Sequence, residues 1–305
     1  MTDRWTRRDM LRRSGLAAAA LVGGPALLGA CSKVDDGPGG QTALDRIKDA
    51  GKIKVGFANE APYGFRDKSG KLTGEAPEVA REIFKALGVA ELEPVLVDSF
   101  GALIPGLNAR QYDVIAAGMF INPERCGQIA FSNPDYAGTN AFLVAQGNPK
   151  GIAKFEDAAK DPGIRLAVLE GAVERDYATK SGVKGNQLKV FPDANAAFRG
   201  LLDKRVDAVA LTAITLNWNK QQNYADRPVE VTQPFIPVID GKEQLGAGGY
   251  GFRKADTELI ATFNTELKKI QGSGRLLEIV KPFGFTATEI DAAKNLTADR
   301  LCTAA

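Results

Sequence analysis

The sequence predicts an α/β protein made of two similar lobes joined by two crossings of the chain. Three observations carry this: short strands of period-two hydrophobicity alternate with helix-period segments, one helix-to-strand unit occurs twice, and two turn-rich stretches separate the copies. In the repeated unit, Gly106-Leu107 leads to Asp113-Val114-Ile115-Ala116 and Gly200-Leu201 leads to Asp207-Ala208-Val209-Ala210, with the same Gly-to-Asp offset. A hydrophobic strand headed by Asp thus follows a helix in both halves.

The elements follow in order. Residues 42–50 read as a short helix with Leu44 and Ile47 on one face and Gly51 at its C-cap. Ile53, Val55 and Phe57 alternate within a strand over 52–58. A turn-rich stretch over 62–74 precedes a helix over 76–87 that Gly88 stops. A strand over 95–97, a helix over 100–109 with Leu103, Ile104 and Leu107 inward, and a strand over 112–119 complete the first run. Alternation of this kind implies a mostly parallel sheet covered on both faces. The second run contains a strand over 165–169 and a helix near 212–220. Ser132-Asn133-Pro134-Asp135-Tyr136, leading into a strand over 141–145, marks the first crossing, and residues 234–249, leading into Tyr250-Gly251-Phe252-Arg253, mark the return. Helices over 256–270 and 273–280 follow. The expected organisation is therefore lobe one from 42–138 and 248–305, and lobe two from 139–247.

Composition narrows the chemistry. The 305 residues are 44% hydrophobic and 25% charged, the profile of a folded water-soluble domain pair. There is no histidine, which excludes Ser-His-Asp and Cys-His catalysis and His-ligated zinc. Three cysteines, at 31, 126 and 302, are too few for a four-thiolate site, so no metal and no cofactor is expected. A net charge of +2 provides no reason to expect a nucleic-acid partner.

Residues 1–30 read as a leader. Arg4, Arg7, Arg8, Arg12 and Arg13 precede a small, apolar run from Gly15 to Leu28, shorter than the roughly 20 residues that a membrane span needs. Thr6-Arg7-Arg8-Asp9-Met10-Leu11 resembles a twin-arginine export motif, an ordinary Sec signal being the alternative. Leu28-Gly29-Ala30-Cys31 resembles a lipobox, which implies that Cys31 becomes the lipidated first residue of the mature chain. Residues 31–41 then form a flexible tether holding the folded part near a membrane. In an oxidising compartment Cys126 and Cys302 are expected to pair, the alternative being two buried thiols.

Particular words point further. Tyr63-Gly64-Phe65 with Gly74, the Leu103/Leu107/Tyr112-Asp113 unit, Arg125 before Ala130-Phe131-Ser132, and Tyr250-Gly251-Phe252-Arg253 resemble the polar-amino-acid-type solute-binding proteins of bacterial ABC importers. This resemblance implies the type II periplasmic-binding-protein fold, with two crossover hinge segments, and a monomeric receptor serving ABC permease subunits. Phe57-Ala58-Asn59-Glu60-Ala61-Pro62-Tyr63-Gly64-Phe65, Leu72-Thr73-Gly74-Glu75-Ala76-Pro77-Glu78, Ala116-Ala117-Gly118-Met119-Phe120 and Glu124-Arg125-Cys126 look like the branch that takes the compatible solutes ectoine and hydroxyectoine.

The residue chemistry agrees with a small zwitterionic ligand. The planar fork of Arg125 suits a carboxylate, helped by backbone N–H groups around Phe120. Glu60 suits a delocalised cation, and Tyr63, Phe100 and Phe120 can offer it ring faces, each worth about 0.5–2 kcal/mol when desolvated. On this reading the Tyr63 hydroxyl is dispensable. Lobe two offers Ala172, Val173 and Thr212. Gly171-Ala172-Val173 lacks the hydroxyl of the Gly-Thr pair usual in related amino-acid receptors, leaving backbone N–H donors, and no acidic residue follows in Leu211-Thr212-Ala213-Ile214-Thr215. That missing carboxylate argues against an ordinary α-amino acid. The alternatives are a receptor for a polar amino acid or a betaine and, on the same fold, a dehydratase or lyase using Glu60 as general acid.

Overall fold

The computed structural model describes residues 40–303. The leader, Cys31 with its lipobox, and nearly all of the tether lie outside the described residues. The main body, from Gln41 onward, is one compact unit. Within it are two large sheets, one of six strands and one of five.

The first sheet runs, in spatial order, Glu91–Leu96, Lys52–Phe57, Val114–Phe120, Gly246–Phe252, Ala130–Phe131, with Tyr136–Gly138 also paired to Gly246–Phe252. Its first three strands are parallel, while Gly246–Phe252 is antiparallel to Val114–Phe120. The second sheet runs Leu188–Phe191, Leu166–Leu169, Ala208–Thr212, Asn140–Ala145, Val229–Val231. Again the first three are parallel and Asn140–Ala145 is antiparallel to its neighbour. The antiparallel members are those that the chain reaches through the crossings. A strand entering a lobe from the other lobe has no helical crossover to return it in the parallel sense.

Both sheets are covered on both faces. On the first, Val79, Ile83 and Phe84 of helix Glu75–Ala86 and Phe263 and Leu267 of helix Thr257–Gly272 pack with Ile53, Val55 and Phe57, while Leu103, Leu107 and Tyr112 fill the opposite side. On the second, Phe198 of helix Ala194–Leu202 and Leu216 of helix Ala213–Asn223 cover one face, and Phe155 and Ala178 the other.

The sequence echo has a physical meaning. In lobe one the Asp113 carboxylate accepts from the N–H of Lys54 at 3.3 Å and pairs with Arg253 at 3.1 Å. In lobe two Asp207 accepts from the N–H of Arg165 at 2.8 Å and from its guanidinium at 3.0 Å. Each Asp ties the head of its own strand to the neighbouring parallel one. Each Gly of the echo lets a helix lie against an aromatic ring, Gly106 on Tyr112 and Gly200 on Phe191.

Several elements depart from the sequence reading. The expected strand over 95–97 begins at Glu91, because Glu-Leu-Glu-Pro sits on a sheet edge where acids and Pro94 are tolerated. The turn-rich words around Ser132 contain two short strands. The strand expected from Tyr250 starts at Gly246; its glycines carry no β signature, yet added Cβ atoms at Gly246 and Gly248 would lie 2.0 Å from the rings of Phe120 and Tyr136. Finally, Pro123–Gln128 is a helix that the sequence reading left unassigned, with Pro123 at its start and the Asn122 side chain accepting from the N–H of Arg125 at 2.9 Å.

Cys126, in that helix, forms a disulfide with Cys302 in the last described helix, Ala298–Thr303, with Cα atoms 5.6 Å apart. Closing a loop of 176 residues restricts the unfolded chain by about 5 kcal/mol in the entropy model.

Behind the aromatic rings, Glu75 and Asp135 are each 1% exposed and face one another. Neither oxygen of Glu75 has a hydrogen-bond donor, so burial and the neighbouring acid push its carboxyl well above the usual range. A carboxyl held neutral in the fold binds its proton more tightly there than in the unfolded chain. Its contribution is therefore full at low pH and lost as pH rises. In urea melts the native protein is expected to lose stability relative to Glu75→Gln as pH goes from 5 to 8; a difference that does not change with pH would show that Glu75 is ionised.

Candidate functional site

The two lobes face each other across a cleft, and its inner part is lined by Glu60, Tyr63, Phe100, Phe120, Arg125, Ala172, Val173 and Thr212. All eight ligand residues named from the sequence are brought together here. Gly118, Glu174 and Leu211 complete the wall.

Each polar group is placed by an element end. Arg125 rides on helix Pro123–Gln128 and is 8% exposed. Its guanidinium donates to the Phe120 carbonyl at 2.7 Å and, across the cleft, to the Gly171 carbonyl at 2.9 Å. It also lies 5.4 Å from the Phe100 ring centroid. Two N–H groups are thus spent on orientation and the rest of the fork stays available to a ligand. The backbone help expected around Phe120 takes another form. The N–H of Ile121 is used by the Ala247 carbonyl at 2.9 Å, and Phe120 acts through its carbonyl, as an acceptor for Arg125.

Glu60 follows the end of strand Lys52–Phe57 and accepts from the Thr215 hydroxyl at 3.1 Å. Burial first, and then the negative charge of Glu174, raise its carboxyl to about 7. Thr215 is one link of a chain of hydroxyls between the lobes. Tyr63 Oη donates to Thr212 Oγ1 at 3.0 Å, Thr212 Oγ1 to Thr215 Oγ1 at 3.0 Å, and Thr215 Oγ1 to Glu60. Asn219 adds a further link, donating to the Ala61 carbonyl at 3.0 Å. The Tyr63 hydroxyl therefore has a partner in the opposite lobe, which the emphasis on its ring face overlooked.

The rings form a connected wall. Tyr63 and Phe120 line the cavity, and behind them Tyr136 lies 5.2 Å from Tyr63 and 6.1 Å from Phe120 between centroids. Tyr136 in turn donates its hydroxyl to the Gly118 carbonyl at 2.8 Å. Gly118 has φ +63°, and a Cβ there would lie 2.2 Å from the Tyr63 ring, so only glycine lets the strand pass beneath that ring. Gly171, with φ +74°, plays the matching part in lobe two; a Cβ there would meet Gly101 Cα at 2.5 Å, where the two backbones touch.

Glu174 is the residue that the sequence reading missed. It sits in the first turn of helix Val173–Lys180, is 3% exposed, and has its carboxyl raised to about 7, mainly by burial. Lobe two thus presents a carboxylate at the cavity, and the argument from a missing one falls. Its signal was the third residue after Gly171, in the first turn of a helix instead of after the strand Ala208–Thr212. Ala172 spends its N–H on the Leu169 carbonyl at 3.3 Å, so the backbone donor beside the cavity is the start of that helix.

A cleft lined by one guanidinium, two carboxyls and aromatic walls, closed by groups from two lobes, is suited to hold a small polar molecule. Comparison with known proteins agrees. The profile of the bacterial extracellular solute-binding proteins, family 3, matches residues 53–286, and the chain belongs to that family. A probable amino-acid ABC transporter periplasmic-binding protein of Sinorhizobium fredii, y4tE, is 32% identical over 265 residues, covering 86% of this chain and 87% of its own. The crystal structure of EhuB in complex with hydroxyectoine is similar with a TM-score of 0.78 at 35% identity, covering 86% of this chain and 98% of that one. The ancestral amino acid-binding protein AncCDT-1, a precursor of cyclohexadienyl dehydratase, is similar with a TM-score of 0.68 at 26% identity, covering 79% and 99%. The likeness confirms the two-lobed type II architecture.

Gly118→Ala is expected to cost about 1–3 kcal/mol in a urea melt, since it adds strain in φ and a collision with Tyr63. Gly127→Ala, in a helix with nothing within 4 Å of its added Cβ, serves as the control and should change little.

Proposed function

We propose that this chain is the receptor of an ABC importer for ectoine and hydroxyectoine, exported to the periplasmic side and held at the membrane by lipid on Cys31. The observation that carries the reading is the convergence, in one cavity, of Arg125, Glu60 and the rings of Tyr63, Phe100 and Phe120. Ectoine joins a carboxylate to a delocalised cation, and enclosing it requires a counter-charge for each end. Arg125 takes the carboxylate; Glu60 and the ring faces take the cation; Thr212, Ala172 and Val173 close over it from lobe two. Residues near 138–139 and 247–248 act as the hinge, and ligand contact with both lobes favours the closed state that the permease recognises. Similarity to EhuB, which was crystallised with hydroxyectoine, supports this ligand. No bond is made or broken, so no cofactor enters.

One observation favours a second reading. Glu174 puts a carboxylate in lobe two, where an α-ammonium would need it, so a polar amino acid is the competing ligand.

Isothermal titration of the mature chain with ectoine, hydroxyectoine, glycine betaine, glutamine and arginine separates the two. The expected outcome is one-to-one ectoine binding at micromolar Kd or tighter, about −8 kcal/mol or beyond, and at least a ten- to hundredfold loss in Arg125→Ala. Binding of an amino acid with silence toward ectoine would establish the second reading.

A further inference from the structure

The charges on the cavity wall do not balance a zwitterion. Among the lining residues the ionisable groups of ordinary charge are Glu60, Glu174 and Arg125, two acids against one base. A zwitterion adds one charge of each sign and leaves the sum unchanged. If both acids were ionised, one negative charge would be enclosed without a counter-charge in a site where Glu174 and Arg125 are buried and Glu60 is half-buried. Nor does a direct pairing absorb it, since among the described residues no ion pair within 4.0 Å joins Arg125 to either glutamate.

From this count we infer that Glu60 and Glu174 together hold one proton when a zwitterion is bound, so that the ligand enters with uptake of a proton from solution, and that Glu174 sets the preference between ligands of net charge zero and +1. The inference rests on the zwitterion reading above. The proton comes from the buffer and ends on a carboxylate oxygen of the pair; nothing else is transferred. A ligand with two cationic groups and one carboxylate, such as arginine, brings the missing positive charge itself and binds without the proton.

The surroundings leave these two groups to do it. Glu60 faces Glu174, Arg125, the Thr215 hydroxyl from helix Ala213–Asn223 and Tyr63 from its own loop. Glu174 faces Arg125 from helix Pro123–Gln128 and Tyr177 from its own helix, and Glu124 acts on Arg125 from outside. The tyrosines are raised further by burial and stay neutral throughout the relevant range. Both carboxyls, each raised to about 7, are poised to accept a proton near neutral pH.

The test is titration calorimetry of the full mature chain with ectoine at pH 8.5 in buffers of differing ionisation enthalpy, and of Kd from pH 6 to 9. Uptake of about one proton per ectoine is expected at pH 8.5, with Kd weakening about tenfold per pH unit above 8. In Glu174→Gln the uptake should vanish and Kd should change less than threefold over the same range. Arginine, if it binds, should show no uptake at pH 8.5. Ectoine binding with no buffer dependence and a flat pH profile in the native chain would overturn the inference and leave the proposed function standing. No ectoine binding at any pH would overturn both. Should Glu174→Gln fail to fold, judged by circular dichroism, the native-chain buffer series decides alone.

Discussion

Bringing a guanidinium and two carboxyls together in one cleft, with Arg125 and Glu174 buried, is the constraint around which the rest of the molecule is arranged. A charge withdrawn from water costs several kcal/mol unless its partners are already in place. Here much of the placing is done by groups that never reach the cavity. Asn122 caps the short helix that carries Arg125, the Phe120 carbonyl turns its fork, and the Gly171 carbonyl meets it from the other lobe. Glu60 is steadied through three hydroxyls in series. The site is thus assembled only when the lobes meet, since the Gly171 carbonyl reaches Arg125 and the Thr215 hydroxyl reaches Glu60 from the opposite lobe.

The two sheets make this meeting possible by being alike. In each, an Asp at the head of a strand ties two parallel neighbours together, and the antiparallel strand is the one reached by crossing between lobes. The cavity is lined from the ends of these elements: Glu60 and Phe120 at or just beyond strands of lobe one, Thr212 at the end of a strand in lobe two. Ligand sites in open α/β sheets gather at such ends because helices and neighbouring strands occupy everything else.

Close contact of the lobes demands that some positions have no side chain at all. Gly171 lets its backbone touch that of Gly101, and Gly118 lets a strand slip under Tyr63. Within lobe one, the disulfide joins the helix of Arg125 to the last described helix, Ala298–Thr303, through the residue next to Arg125 itself.

The sequence by itself determined the lobes and much of the site. Alternating strands and helices, the twice-used Gly-to-Asp unit and the scarcity of special chemistry were local signals, and local signals survive in one dimension. Glu60, Tyr63, Phe120 and Arg125 were legible because they stand in distinctive words, Phe100 through its spacing beside Gly101, and Ala172, Val173 and Thr212 only through their position where related receptors carry a Gly-Thr pair and a later acid that this chain lacks. The strand Gly246–Phe252 was partly hidden, since glycines needed to pass beneath Phe120 and Tyr136 carry no strand preference of their own. Helix Pro123–Gln128 was hidden by its brevity. Glu174 was hidden for a deeper reason: an acid in the first turn of a helix is an ordinary surface residue in sequence. Only the folding of lobe two against Arg125 and Glu60 turns it into a buried charge facing the cavity, because burial and electrostatic field belong to the neighbours that tertiary structure supplies and to no single stretch of chain.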